Sequence, residues 1–317
     1  MDVSVPLSVL SVSVRLGGGG RRGVRVDVAL VTCGAMPGLH SDDRHLLLAL
    51  RAAGLMAEPV VWEDPHVDWA VVRLCVIRSA WDYCWRRDEF LRWADRAAAS
   101  TAMWNSHRLV HWNTHKRYLL DLAQRGVPTV PTVLLPAAAA VDVRAEAERR
   151  GWSDIVLKAA VAQSGRYAMR ATSRDWAPAQ AHLDRLLPRE DMLLQPFVRA
   201  VPETGELSLV YVDGEFTHAV RKRAVPGDFR VHDDHGGSVA LERPSDAHLD
   251  VGRRALAATG EPTLYARVDL VLDQSGSPMV MEYEVVEPEL FLRFSREAVE
   301  RFVAGIQQRL TASRSTR

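Results

Sequence analysis

Unbroken apolar runs alternate with stretches of helical period along most of this chain. "VDVALVT" (26–32) has the composition of a strand buried on both faces. "DDRHLLLALRAAG" (42–54) then carries apolar residues at three- and four-residue spacing and a glycine stop, which predicts a helix. "AEPVVW" (57–62) and "WAVVRLCVIRS" (69–79) predict further strands, and "RDEFLRWADRAAAS" (87–100) a further helix. Alternating β and α segments imply a small open parallel sheet, whose ligands sit at the carboxyl ends of the strands. That rule places Thr32, Cys33, Arg78, Ser79, Trp81, Asp82 and Tyr83 near a cleft.

The pattern changes near residue 113. Asn113 or Thr114 is a suitable cap for a helix carrying Lys116, with Gly126 ending it and two prolines leading into a strand. A helix (142–150), the strand "DIVLKAA" (154–160), a glycine turn, a helix (175–187) and the apolar strand "DMLLQPFV" (191–198) complete this unit. Beyond it, "ELSLVYVDGEFTHAVRK" (206–222) predicts a hairpin turning at Asp213-Gly214. A polar glycine-bearing stretch (223–239), a helix (246–258), the hairpin "YARVDLVLDQSGSPMVMEYEV" (265–285) and a helix from about 295 follow. The expected units are therefore 24–112, 113–198 and 199–317, preceded by a flexible leader over 1–23.

Composition narrows the function classes. The 317 residues carry 40 Lys+Arg and 40 Asp+Glu, and this zero net charge gives no support to a nucleic-acid partner. No apolar run approaches the ~20 residues of a membrane helix. Three unevenly spaced cysteines, Cys33, Cys75 and Cys84, make neither a disulfide framework nor a zinc pattern and fit a cytoplasmic protein. "GGGRRG" (18–23) matches a dinucleotide-binding pattern but precedes a strand-like run where a helix is required. His111, His115, His218, His232 and His235 lack metal-ligand spacing. The motifs of P-loop NTPases, protein kinases and nucleophile-elbow hydrolases are absent from the sequence. A homodimer is the default expectation for assembly.

The chemistry-bearing residues interrupt apolar strands. Glu282 and Glu284 share one face of "MVMEYEV", and Asp269 interrupts the neighbouring strand "ARVDLVL". Three carboxylates meeting in a sheet interior call for cations, and oxygen-only ligands favour Mg²⁺ or Mn²⁺. The plainer reading is an ion-paired acidic cluster with Arg267 or Arg293 as partner. Lys158 lies inside "IVLKAAV", an unusual place for a solvated lysine, and Ser164-Gly165 form a small-residue turn five residues on. Lys116 in a helix's first turn is by default a solvated residue. Glu287, on the opposite parity and before Pro288, leaves the strand toward a pocket or solvent.

The order of these features resembles the ATP-grasp superfamily of carboxylate–amine ligases. A lysine precedes "GVPTVPT", a second lies in a strand before a small-residue loop, and "LLQPFV", "HAVRK", "GDFRVHDDHGG" and a D…E-x-E pair follow. The resemblance spans residues 24 to about 310 and implies an α/β and α+β chain with the ATP-grasp fold. An N-terminal open parallel α/β domain would precede central and C-terminal ATP-grasp subdomains.

The implied cofactors are ATP and two Mg²⁺ ions, with Asp269, Glu282 and Glu284 as metal ligands. Lys116 and Lys158 would hold phosphates beside Ser164 and Gly165. Gln195, Phe197 and Val198 would read adenine, Glu206 would face the ribose, and Arg221 and Lys222 would lie near the phosphates. Arg230 and Lys158 would act catalytically. Arg78, Ser79, Asp82, Tyr83, His232, Gly236, Gly237 and Glu287 are the candidates for a small amino-acid-like substrate. The superfamily's usual E-x-N is E-x-E here, which raises the site's negative charge, and the 161–166 loop is short.

"IRSAWDY", "FLRWADR", "WNSHRLVHWNTHKRYLLDL" and "YARVDLV…MEYEVVEPELFL" resemble a subgroup that includes the O-ureido-D-serine cyclo-ligase of cycloserine biosynthesis. The resemblance implies carboxylate activation as an acyl phosphate and ring closure by a nitrogen of the same molecule. Intermolecular amino-acid or peptide ligation, and a non-catalytic ATP-binding module, are the alternatives.

Overall fold

A computed structural model describes residues 25–225 and 236–315. The expected leader, the glycine match at 18–23, Arg230 and His232 lie outside these residues. The first sheet is parallel, in the order β2-β1-β3-β4, from β1 (Val26–Thr32), β2 (Ala57–Val61), β3 (Val72–Ser79) and β4 (Ala102–Met103). Helices Asp43–Ala52 and Arg87–Ser100 connect its strands, and Leu46 and Leu50 of the first are fully buried. Strand β3 starts later than its apolar pattern. The Asp68 carboxylate accepts from the Ala70 N–H at 3.0 Å and caps a 3-10 turn over Trp69–Val71 instead.

The second sheet has the order β5-β8-β6-β7 and is antiparallel at all three pairings, from β5 (Val133–Leu135), β6 (Asp154–Ala159), β7 (Met169–Thr172) and β8 (Met192–Pro196). Helices Val143–Glu148 and Trp176–Leu186 share a core with it through Val143, Ala179 and Leu183. The third sheet runs β11-β10-β9-β12-β13, from β9 (Glu206–Val212), β10 (Glu215–Arg223), β11 (Ser238–Leu241), β12 (Tyr265–Leu272) and β13 (Pro278–Glu284). Asp213 and Gly214 make the β9–β10 turn, both with positive φ, as the Asp-Gly pair predicts. Among the described residues no helix is long and apolar enough to cross a membrane.

The last helix, Arg296–Ser315, returns to the first sheet. Phe302 and Ile306 share one core with Val28, Leu30 and Leu46. Asn105 adds a polar rivet between the first and third units. Its amide donates to the carbonyls of Tyr265 (2.9 Å) and Val285 (2.7 Å), and its oxygen accepts from the Leu264 N–H. The Tyr265 hydroxyl lies between the carbonyls of Ile77 and Val286, at 2.7 and 2.8 Å. The carboxyl ends of the first sheet are thereby held against the β12–β13 hairpin.

Gly205 sets the entry to β9. Its φ is +80°, and a Cβ there would lie 2.1 Å from the Lys222 carbonyl oxygen. Gly205→Ala therefore has to strain its own backbone and push β10 away. Its expected cost is about 1–3 kcal/mol of unfolding free energy, measured by urea titration at unchanged m-value.

Candidate active site

The β12–β13 hairpin pairs Asp269 with Glu282 and Arg267 with Glu284, and its ladder shifts register just after Asp269. Strand β9 lies on the other side of β12 and sets Ser208 opposite Asp269. The Ser208 hydroxyl donates to Asp269 Oδ1 at 2.6 Å. Arg267 reaches both Asp269 oxygens (2.9 and 3.0 Å) and Glu284 Oε1 (2.6 Å). Lys222 of β10 lies 2.8 Å from Asp269 Oδ2 and 3.2 Å from Glu206. Lys116 Nζ lies 2.8 Å, and Lys158 Nζ 3.4 Å, from opposite oxygens of Glu282.

These contacts show what the three expected metal ligands touch within the protein. Each acid turns toward a protein cation, and among the described residues no group of three or more His, Cys, Asp or Glu is arranged to hold a metal ion. The reason is electrostatic. Buried like charges repel, and the nearest lysines and arginines neutralise them. Arg267 is the partner that the ion-paired reading names, whereas Arg293 pairs with Asp42 and Glu289.

The titration behaviour follows the same geometry. Burial raises the Asp269 carboxyl, but Arg267 and then Lys222 outweigh it and hold the group well below the carboxylate range. Burial pushes Glu284 up to about 7, against Arg267 and with help from Asp269 and Glu282. Burial also raises Glu206, opposed by Lys222. Burial lowers Lys158, with Glu282 opposing it and Lys116 adding repulsion. In Lys116 the same burial is overcome by Glu282, and that lysine is raised.

The donor set fits Mg²⁺ on chemistry. Asp269, Glu282 and Glu284 offer only hard oxygens, and the strain in Glu284 comes partly from like charges that a divalent cation relieves.

Lys116 does not sit on a helix as its sequence context suggests. Helices His107–Asn113 and Tyr118–Gln124 flank a turn, and Lys116 lies in that turn with its N–H donating to the Ala160 carbonyl at 2.7 Å. Asn113 is spent on the hairpin rather than on capping. Its amide donates to the Tyr283 carbonyl (2.7 Å) and its oxygen accepts from the Val285 N–H (2.9 Å). This brings Lys116 over β13, beside Lys158 of β6.

One cavity holds Lys116, Lys158, Ser164, Gly165, Lys222, Glu282, Glu284, Glu287 and Tyr83. Ser164 (φ +46°) and Gly165 (φ +69°) both take left-handed backbone in the loop above Lys158. Asp269 lies under Arg267 and Lys222, buried below the cavity wall.

Several other candidates lie off this wall. Arg78 and Ser79 are fully buried and hold Asp43 at 2.9 and 2.6 Å. These two β3 side chains are structural ties, because burial gives a substrate no path to them. Asp82 accepts from Trp62 Nε1 and Arg86. Arg221 faces away from the acids and pairs with Glu242. Gln195 donates to Thr132 Oγ1 at 2.8 Å, the Arg170 guanidinium lies 3.6 Å above the Phe197 ring, and Val198 packs with Val201 and Val271. Gly236 and Gly237 precede β11.

Sequence reasoning passed over His40, Gln163, Arg166 and Glu289, which also line the cavity. Arg166 lies 4.4 Å from the Trp85 ring and 4.2 Å from the Tyr167 ring, and pairs with Glu190 at 2.6 Å. It ties the loop above Lys158 to the first unit. Gln163 and Arg166 flank the Ser164-Gly165 turn in the sequence, but their type alone does not set them apart from other polar loop residues.

Glu287 lies just past β13, with its carbonyl accepting from Trp81 Nε1 at 3.0 Å. Its Oε1 accepts from Gln163 Nε2, while its enclosed Oε2 has no hydrogen-bond partner. Burial and then Glu284 push this carboxyl up to about 8, against the nearby Gln163 amide and Tyr83 hydroxyl.

Comparison with known proteins agrees with this architecture. The family model described as D-cycloserine synthetase DcsG, N-terminal domain, matches residues 28–105. The cycloserine biosynthesis protein DcsG of Streptomyces lavendulae is 35% identical over 297 residues, covering 89% of this chain and 98% of that protein. The crystal structure of D-cycloserine synthetase DcsG superposes with a TM-score of 0.82 at 34% identity, over 89% of this chain and 99% of that one. The ATP-grasp ligase PsnB, complexed with its minimal precursor, Mg and ADP, shares the fold. Its TM-score is 0.60 at 18% identity, over 90% of this chain and all of that one.

Proposed function

We infer the activity from kinship: the chain belongs to the family of the cycloserine biosynthesis protein DcsG, within the ATP-grasp ligases. It is an ATP-dependent ligase, and its role is the cyclisation that forms cycloserine. The reaction we assign is ADP-forming closure of O-ureido-D-serine to D-cycloserine. The observation that carries this reading is the single cavity in which Lys116 and Lys158 meet Glu282 beside Glu284.

In this reading the substrate carboxylate attacks the γ-phosphorus of ATP. The bond to the β-phosphate oxygen breaks, ADP leaves, and an acyl phosphate forms. The oxygen-bound nitrogen of the ureido group then adds to the acyl carbon, loses its proton and expels inorganic phosphate; water cleaves the carbamoyl group from that nitrogen as carbamic acid, which breaks down to carbon dioxide and ammonia, and the nitrogen takes up the proton. Lys116 and Lys158 draw charge from the transferring group, and the Ser164-Gly165 turn supports the phosphates. Asp269, Glu282 and Glu284 would hold Mg²⁺, which neutralises phosphate charge when bound. Gln195, Phe197 and Val198 are assigned to the adenine and Glu206 to the ribose, by the family pattern. Arg230 is assigned to the acyl phosphate and His232 to the substrate on the same ground. Ring closure benefits from proximity, since effective molarities of well-oriented groups reach ~10⁵ M or more.

ADP release measured across D- and L-amino acids and their O-ureido derivatives tests the assignment. ADP is expected with O-ureido-D-serine alone, with no added amine. A requirement for a second amine would replace cyclisation with intermolecular ligation, and nucleotide binding without turnover of any substrate would leave only a binding module. Chelation of Mg²⁺ by EDTA is expected to abolish ADP release, and added Mg²⁺ to restore it. Full activity in EDTA would remove the metal from the reading.

A further inference from the structure

We propose that Glu287 is the seat of the substrate's ammonium group. The inference rests on the ligase reading and adds to it the group that recognises the amino acid.

Charge matching points there. Four described carboxylates line the cavity: Glu282, Glu284, Glu287 and Glu289. Glu282 meets Lys116 and Lys158, Glu284 meets Arg267, and Glu289 meets Arg293. Glu287 has a neutral amide on one oxygen and the Tyr83 hydroxyl nearby, its other, enclosed oxygen has no hydrogen-bond partner among the described residues, and Lys116, whose charge also acts on it, is paired with Glu282 instead. Only 7% of the residue is exposed. A buried acid without a cation is costly, and it is relieved by a ligand that brings one. A primary ammonium fits, because it is compact and presents three donors to a carboxylate.

The backbone fixes the direction of this side chain. The Glu287 carbonyl accepts from Trp81 Nε1, and the next carbonyl, of Pro288, accepts from Arg78 Nη2 at 2.6 Å. Both donors belong to the first unit, whereas the Gln163 amide on Oε1 comes from the loop above Lys158, so the acid sits between the first unit and that loop. Position agrees with chemistry. In an α-amino acid the carboxyl carbon and the amine nitrogen are bonded to one carbon. A carboxylate poised beside Lys116 and Lys158 then has its ammonium close by, and Glu287 lines the same cavity as the two lysines.

The test is steady-state ADP release by the full chain and by Glu287→Gln. The substrates are O-ureido-D-serine and 3-(ureidooxy)propanoate, the same molecule without its amino group. With O-ureido-D-serine, KM in the variant is expected to rise about 10- to 100-fold, as for loss of one charge-assisted hydrogen bond. The kcat should change far less, and KM for ATP should stay constant, which also reports an intact fold. With 3-(ureidooxy)propanoate the variant and the unaltered protein should have equal KM, because the interaction is already absent. An unchanged KM for O-ureido-D-serine overturns the proposal, as does an equal rise with both compounds. If the unaltered protein turns over no amino acid, the ligase reading fails first and this inference with it.

Discussion

Glu282→Gln is expected to lower ADP release by at least about 10²-fold, the scale on which loss of one preorganised electrostatic contact acts. Glu282 is the point where two units meet. Lys116, from the turn between two helices, and Lys158, from β6, approach its two oxygens at 2.8 and 3.4 Å. The neutral amide cannot balance two ammonium groups, so the lysines repel one another and lose their common anchor. It also removes a carboxylate from the proposed metal ligands. Single-turnover ADP formation at saturating ATP and Mg²⁺ checks the effect, and circular dichroism with a thermal melt checks the fold. A variant that keeps full activity would remove Glu282 from both the metal and the phosphate machinery.

Arg78→Met is expected to lower the unfolding free energy by about 3–5 kcal/mol, the cost of leaving a buried charge without its partner. Arg78 is fully buried and holds Asp43 at 2.9 Å, the Pro288 carbonyl at 2.6 Å and the Tyr265 ring at 4.8 Å. Its removal strands the buried Asp43, whose remaining hydrogen bond among the described residues is from the Ser79 hydroxyl. Urea unfolding measures the loss. The paired variant Arg78→Met/Asp43→Leu should recover a large part of it, because two apolar groups leave no uncompensated charge. If Arg78→Met is as stable as the unaltered protein, the tie between β3 and the first helix is not structural.

Much of the fold was legible because it depends on local pattern. Helix Arg87–Ser100 coincides with its apolar periodicity, and the hairpins turn where Asp213-Gly214 and "DQSGSP" predict. The E-x-E segment was legible for a related reason. Period-two geometry sets Glu282 and Glu284 on one face, and a short turn brings Asp269 opposite. Of the cations that the acids touch, Arg267 was legible as a partner and the lysines were not. Lys116 reaches Glu282 because a turn, and not the expected helix, carries it over β13. Asn113 could be read as a cap, but it spends both ends of its amide on the hairpin backbone. Arg78 and Ser79 stand at the carboxyl end of β3, where a cleft is expected, yet Asp43 at the start of the helix after β1 takes both.

Sequence by itself determined most strands and helices, the hairpin partners and the kinds of group available for chemistry, since these follow from residue spacing and backbone geometry; it did not show the short strands β4, β7 and β11. Tertiary structure alone decided which charges are matched and which are not. Arg267 divides itself between Asp269 and Glu284, while Glu287, three residues past Glu284, is enclosed between Gln163 and Tyr83 and makes no ion pair among the described residues. The physical reason is that ion pairing in a buried site depends on distances between segments far apart in the chain, and no local pattern encodes those distances.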